Sequence, residues 1–158
     1  MEKLFQRHDE YIGQTSTDFV RSTMHETHWD SRLICIKGPK GVGKSTLLLQ
    51  RIKMQFEEGD RRALYCSADT GYFSTHTLVD TASMFVKLGG THLFIDAIHK
   101  YDGWSSELKE IYDLYKGLHV VVSGSSLLQL NDVDADLSQR MISYNMPGLS
   151  FHEYLCFE

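Results

Sequence analysis

The chain has 158 residues, of which 42% are hydrophobic and 23% charged, which suits one ordinary globular domain with a single core and excludes a disordered polymer. Its formal charge of −5 removes the broad basic field that non-specific nucleic-acid binding needs, so nucleic acid is not an expected partner of this segment. No signal core follows Met1-Glu2-Lys3-Leu4, and nowhere do about 18 apolar residues run together, so a soluble, cytoplasmic protein without a membrane span is expected.

Ser16 or Thr17 ahead of Asp18-Phe19-Val20 predicts a capped helix ending near Trp29, with Phe19, Val20 and Met24 able to share a face. Arg32 to Lys37 is a short apolar run without helical period, stopped by Gly38-Pro39, and predicts a buried strand. From Ser45 the apolar positions Leu47, Leu48, Ile52 and Phe56 recur at helical spacing until Gly59, which predicts a helix of about three turns.

The alternation then repeats. Ala63 to Cys66 reads as a strand, Thr77 to Leu88 as a helix closed by Gly89-Gly90, and Thr91 to Asp96 as the third strand. A helix over about Ser105 to Tyr115 leads through Gly117 to a fourth strand, Leu118 to Ser123. A polar stretch reaches Arg140, Met141 to Met146 predicts a fifth strand, and Phe151 starts a further helix. Strands separated by helix-length patterns imply an α/β fold of three layers, α/β/α, around a mainly parallel five-stranded sheet. The expected strand order is 5-1-4-3-2. Cys35, Cys66 and Cys156 are far apart and odd in number, which suits reduced core thiols.

The pattern G-x-x-x-x-G-K-[ST] fits Gly38 to Ser45, between a predicted strand and a predicted helix. Chemistry requires that context, because glycines let backbone N–H groups curl around phosphate oxygens while the helix N-terminus contributes its positive end. Gly38, Pro39, Lys40, Gly41, Val42, Gly43, Lys44, Ser45 and Thr46 are therefore the expected nucleotide-binding residues. Lys44 is placed on the β- and γ-phosphates and Ser45 on Mg²⁺, whereas Lys40 reads as a solvated side chain.

Leu93-Phe94-Ile95-Asp96 is an apolar strand ending in an acid, where a P-loop ATPase holds its Walker B aspartate, so Asp96 is the second expected Mg²⁺ ligand. Many ATPases of this plan follow that aspartate with a glutamate that polarises the attacking water. Here the next residue is Ala97, and an alanine offers no lone pair. With the rest of the plan intact, binding should survive while hydrolysis slows by roughly 10²- to 10⁴-fold. Asp69, Asp102 and Glu107 are alternative acids, each read more simply as a turn, helix-start or surface group.

Ser123, with Ser125 and Ser126, ends the strand expected beside the P-loop strand, where a hydroxyl can sense the γ-phosphate, or where a serine-glycine turn simply sits. Arg140 reads either as a γ-phosphate contact supplied to a neighbouring subunit or as an exposed arginine. His25 and His28 could share a helical face, though no carboxylate pair accompanies them, and His99 reads as lying near the active edge. Tyr65, Tyr72, Phe73, Tyr101 and Trp104 gather in or beside loops at that edge, where packing beneath the loops competes with stacking on adenine.

Together these residues resemble a widespread prokaryotic family of AAA+-like predicted ATPases of the additional-strand class, usually fused to a C-terminal domain of unknown function. The resemblance is carried by the P-loop and by Leu93 to Tyr101, Ser123-Gly124-Ser125-Ser126, Asp136 to Arg140 and Leu149 to Leu155. It implies ATP and Mg²⁺ as cofactors, with Lys44, Ser45 and Asp96 on phosphate and metal, Ser123 as sensor and Arg140 as arginine finger. It also implies a homo-oligomer or a protein partner, and a division into an N-terminal helical segment, 1–31, and an ATPase core, 32–158, cut before its C-terminal domain. The family has glutamate at the position of Ala97. Rival readings are a nucleotide-gated interaction module without turnover and a small-molecule kinase, the latter weakened by the absence of an arginine-rich lid. A GTPase is disfavoured by the absence of an Asn-Lys-x-Asp motif.

Overall fold

Strand β1, Leu33–Gly38, is buried almost throughout, with Leu33, Ile34, Cys35 and Ile36 at 1% exposure or less. Its continuous apolar run fits a strand covered on both faces. In the computed structural model, which describes residues 1–125, 135–148 and Glu153, β1 pairs in parallel with β4 (His119–Ser125) on one side and β5 (Ile142–Asn145) on the other. β3 (His92–Asp96) pairs with β4, and β2 (Ala63–Ser67) with β3, again in parallel. The resulting order, β2-β3-β4-β1-β5, is the expected 5-1-4-3-2 read from the opposite edge.

The two-residue period of the strands divides the core. Leu33, Cys35, Leu64, Leu93, Ile95, Val120 and Val122 face one layer, which contains α5 (Leu78–Lys87) and α6 (Trp104–Leu114). Ile34, Ile36, Ala63, Tyr65, Phe94 and Val121 face the other, built on Leu47, Leu48 and Ile52 of α3 (Lys44–Gln55). Each fully buried Leu, Ile or Phe contributes about 1.5–3 kcal/mol relative to exposure. Cys35 and Cys66 are free thiols in this core, and burial pushes both up to about 12. Among the described residues no helix is long and apolar enough to cross a membrane.

The N-terminal region departs from expectation. The first helix is α1, Glu2–Gln14, which buries Leu4, Phe5 and His8 and lies against β2. Nδ1 of His8 accepts the Tyr65 N–H at 2.9 Å, so a side chain of α1 caps the backbone of this edge strand. The helix expected from Ser16 to Trp29 does not form; only Thr23–Glu26 is helical, as α2. Buried Gln50 supplies the reason, because its Nε2 donates to Ser16 O and Phe19 O, both at 2.8 Å. Those carbonyls bond to α3 instead of to a turn of their own. His25 ends up in α2 and His28 beyond it, and among the described residues no group of three or more His, Cys, Asp or Glu side chains could hold a metal.

Three short elements are additions to the sequence reading: α4 (Tyr72–Thr75), a 3-10 turn at Ile98–Lys100, and α7 (Ala135–Arg140). The helix expected from Phe151, together with Ser126, Cys156 and most of Leu149 to Leu155, lies outside the described residues.

Candidate nucleotide-binding site

The loop from Gly38 to Thr46 joins β1 to α3 at the carboxyl edge of the sheet, and its glycines have different reasons to be there. Gly41 and Gly43 take φ of 87° and 97°, the left-handed region that costs other residues about 1 kcal/mol or more. Gly38 is needed for space, since a Cβ on it would stand 2.5 Å from Met146 O and 3.1 Å from Val42 Cγ2. The chain leaving β5 crosses directly over it, with Met146 N–H donating to Lys37 O at 2.6 Å.

Above the loop opens a cleft of about 630 Å³, into which Lys40, Gly41, Gly43, Lys44 and Ser45 present themselves at the N-terminus of α3. Gly38, Pro39, Val42 and Thr46 do not line it. Pro39 is exposed and offers its carbonyl to Lys44, Val42 packs inward against the α3 side of the core, and Thr46 faces a separate groove beside Tyr11 and Gln50. Lys44 Nζ donates to Gly38 O at 2.7 Å and Pro39 O at 2.9 Å, so the ammonium sits within its own loop. Burial pulls its pKa below the ordinary lysine value, an effect that the charge of Asp96 opposes.

Asp96 forms the floor, only 8% exposed. Ser45 Oγ donates to its Oδ2, and so does the Tyr65 hydroxyl at 2.5 Å. Oδ1 accepts from Ser123 Oγ and from the Ala97 N–H at 3.0 Å. The Ala97 N–H is shared with Ser123 Oγ at 2.9 Å. With both oxygens engaged in this way, the carboxylate is fixed in position. Burial and the adjacent Asp96 charge raise the Tyr65 hydroxyl well above the usual tyrosine range, so it stays a donor. Ala97 itself adopts φ 54°, ψ 46°, a left-handed non-glycine residue whose side chain lines the cleft.

Ser123 is fully buried with its hydroxyl turned onto Asp96 at the base of the cleft, and Ser125 also lines the cleft. His99 accepts the Ser125 N–H at Nδ1, 3.2 Å, which ties the turn after β3 to the end of β4. Burial, then the charges of Lys100 and Lys44, lower the His99 pKa and keep the ring neutral for that bond. Of the alternative acids, Asp69 lines the cleft, whereas Glu107 Oε1 accepts Val79 N–H at 3.2 Å, near the start of α5, and Asp102 borders a different hollow. Arg140 lies on α7, paired with Asp113 and stacked 5.4 Å from the Tyr112 ring, and does not line the cleft. Tyr72, Phe73, Tyr101 and Trp104 pack onto the core, Phe73 and Tyr101 at 6.1 Å.

The bond from the Tyr65 hydroxyl to Asp96, on a residue read from sequence only as an edge aromatic, and the role of Arg21 are what motif reading misses here. Tyr65 lies among ordinary apolar strand positions, and only the register Ser67↔Asp96 between β2 and β3 brings it beside the aspartate. Arg21 donates through Nη1 to Val42 O at 2.6 Å, from a segment expected to be plain helix.

The groups present fit a nucleotide with its metal. A hydroxyl and a carboxylate in contact, Ser45 and Asp96, are the hard oxygen donors that Mg²⁺ takes, and a glycine loop opening a helix with a lysine at its base accepts polyphosphate. Ala97, which directly follows Asp96 and borders the cleft, carries only a methyl group.

A comparison with curated proteins returns no match. Among solved structures the chain is similar to PCH-2 of C. elegans, with a TM-score of 0.51 at 18% identity, over 94% of this chain and 40% of that one. At that identity the likeness concerns the fold, and the chain spans well under half the length of that protein. The AAA domain family matches residues 30–155, nearly everything from the start of β1 onward. Carrying the loop, the acidic strand and the strand order of a nucleotide-binding ATPase-like domain, the chain belongs to the AAA domain family.

Proposed function

We propose that this domain binds ATP with Mg²⁺ in the cleft above Gly38–Thr46 and that its hydrolysis is impaired by Ala97. The observation that carries the proposal is the meeting of Ser45 and Asp96 beneath the glycine loop. Lys44, freed from its loop carbonyls, is placed for the β- and γ-phosphates, and Ser45 with Asp96 for the metal, which when bound neutralises phosphate charge. Ser123 acts here chiefly by holding Asp96. Arg140 acts on a neighbouring subunit only after leaving Asp113. In this reading residues 1–31 precede a core at 32–158, in a cytoplasmic protein that works as a homo-oligomer or with a protein partner.

ATP titration and steady-state phosphate release, compared between the unsubstituted protein and Ala97→Glu, test the proposal. Both proteins should bind, and the variant should turn over roughly 10²- to 10⁴-fold faster. Equal rates would show that Ala97 is not the lesion. Loss of detectable binding in Lys44→Ala is the accompanying control. A nucleotide-gated interaction module without turnover is the second reading, favoured by the methyl group at position 97. Several turnovers per minute from the unsubstituted protein would overturn it.

A further inference from the structure

Arg21 is a charged side chain in the interior, 7% exposed. Its guanidinium meets three acceptors: Nε donates to Glu153 Oε2 at 2.7 Å, Nη1 to Val42 O at 2.6 Å, and Nη2 to Pro147 O at 2.5 Å. Glu153 Oε2 also accepts the Ser22 N–H at 2.9 Å, and its side chain is as buried as that of Arg21. Such a pair is weak evidence for stability, because apolar side chains of similar size often replace one without loss. Its placement points to another role. One of its acceptors belongs to the phosphate loop, and another to the chain that crosses over Gly38 after β5.

The Val42–Gly43 peptide is trans, so its C=O and N–H point in opposite directions. Drawing Val42 O outward to Arg21 turns the Gly43 N–H the other way, toward the cleft that Gly43 lines and Val42 does not. A glycine tolerates φ of either sign, so the peptide plane before it is poorly fixed by its own sterics. The loop therefore needs a tie from outside, and Arg21 provides one.

We propose that Arg21 is a positioning residue of the phosphate loop: held by Glu153, it aims the Gly43 N–H at the bound diphosphate and makes nucleotide affinity depend on the segment that follows β5. The proposal rests on the nucleotide-binding reading above. Any displacement of Pro147 or Glu153 is passed through one guanidinium to one loop peptide.

ADP without Mg²⁺ is the probe, with affinity read by calorimetry and the Gly43 amide followed in ¹⁵N-glycine-labelled full chain. Arg21→Lys keeps the charge but cannot span three acceptors with a planar fork. It should lose roughly tenfold in ADP affinity, the scale of one charge-assisted hydrogen bond, and should show a smaller ADP-induced Gly43 shift. The double variant Arg21→Met with Glu153→Met removes both buried charges, which protects folding, and should show the same two losses in a chain of unchanged circular dichroism. A residue that merely anchored the N-terminal segment would change the melting temperature and leave the Gly43 shift alone. Unchanged affinity and an unchanged Gly43 shift in either folded variant overturn this proposal while leaving nucleotide binding intact. Failure of the unsubstituted protein to bind ADP overturns both.

Discussion

Tyr65 shows how a strand residue of ordinary appearance becomes part of a binding site. Its ring belongs to the α3 face of the core, and its hydroxyl holds Asp96 Oδ2. A metal placed between Ser45 and Asp96 would draw the Ser45 hydroxyl away from the carboxylate, leaving Tyr65 as its remaining side-chain donor on that oxygen. Tyr65→Phe should therefore leave metal-free ADP binding nearly unchanged and weaken the Mg²⁺-dependent gain in ATP affinity by about 1 kcal/mol, roughly fivefold. Paired titrations with Mg²⁺ and with chelator check this, and an equal loss in both would refute it. That Lys44, Ser45 and Asp96 line one cleft was legible because each type in its spacing has few other uses. The contacts of Tyr65 and Arg21 were not, because their partners lie 31 and 132 residues away and local sequence marked Tyr65 only as an aromatic at the active edge.

At the scale of elements, sequence and structure agree wherever apolar periodicity decides the outcome. The five strands, α3, α5 and α6 all lie within a residue or two of expectation. They diverge where a side chain competes for backbone, as Gln50 does with the carbonyls of Ser16 and Phe19. The stripe Leu4, Phe5, Ile12 of α1 was readable by spacing, but Met1 provides no capping side chain and buried His8 interrupts the stripe. Gly38→Ala tests the crossing of β1 by the chain after β5. Its Cβ would press on backbone at Met146, so a loss of about 1–3 kcal/mol in a denaturant melt is expected, together with weakened nucleotide binding.

The docking of α1 is also sensitive to acid. Burial, with the Arg61 charge and against the pull of Asp9, lowers the pKa of His8 below 6.5, and its Nδ1 can accept the Tyr65 N–H only when unprotonated. At the other end of the strands His92 and His119 stack at 4.7 Å, and burial, then the His119, Arg51 and Arg62 charges, brings His92 down to about 4. For both, the unfolded chain takes up a proton near 6.5 that the folded chain refuses. Their contribution is therefore complete above that pH and is lost on acidification below it, for His92 down to about 4. Melting temperature should fall over this window, and His8→Ala should lower it at neutral pH while flattening part of the slope. A melting temperature independent of pH between 7 and 4 would contradict the assignment.

Over the whole molecule, strand order was legible because parallel βαβ connections leave few arrangements, and the P-loop strand must neighbour the strand carrying Ser123. Arg140, read from sequence as an intersubunit contact or an exposed arginine, is occupied within its own chain by Asp113 and Tyr112. If Arg140 acts across an interface, turnover per subunit of Ala97→Glu should rise with protein concentration. Adding Arg140→Ala should remove that rise, with a loss of about 10³-fold or more at saturation. A rate proportional to concentration throughout, in both backgrounds, would confine Arg140 to its surface pair.

The lodging of α1 along β2 also bears on how this protein behaves in a test tube. β2 ends the sheet, and on its outer side the Tyr65 N–H is satisfied by His8. A shortened protein beginning after Gln14 would present a bare strand margin flanked by the apolar surface that Leu4 and Phe5 now cover. Such a margin recruits strands from other molecules. Trimming the first helix to obtain a smaller domain should therefore yield precipitation or fibrous assembly, and light scattering on freshly purified material would show it before any nucleotide is added.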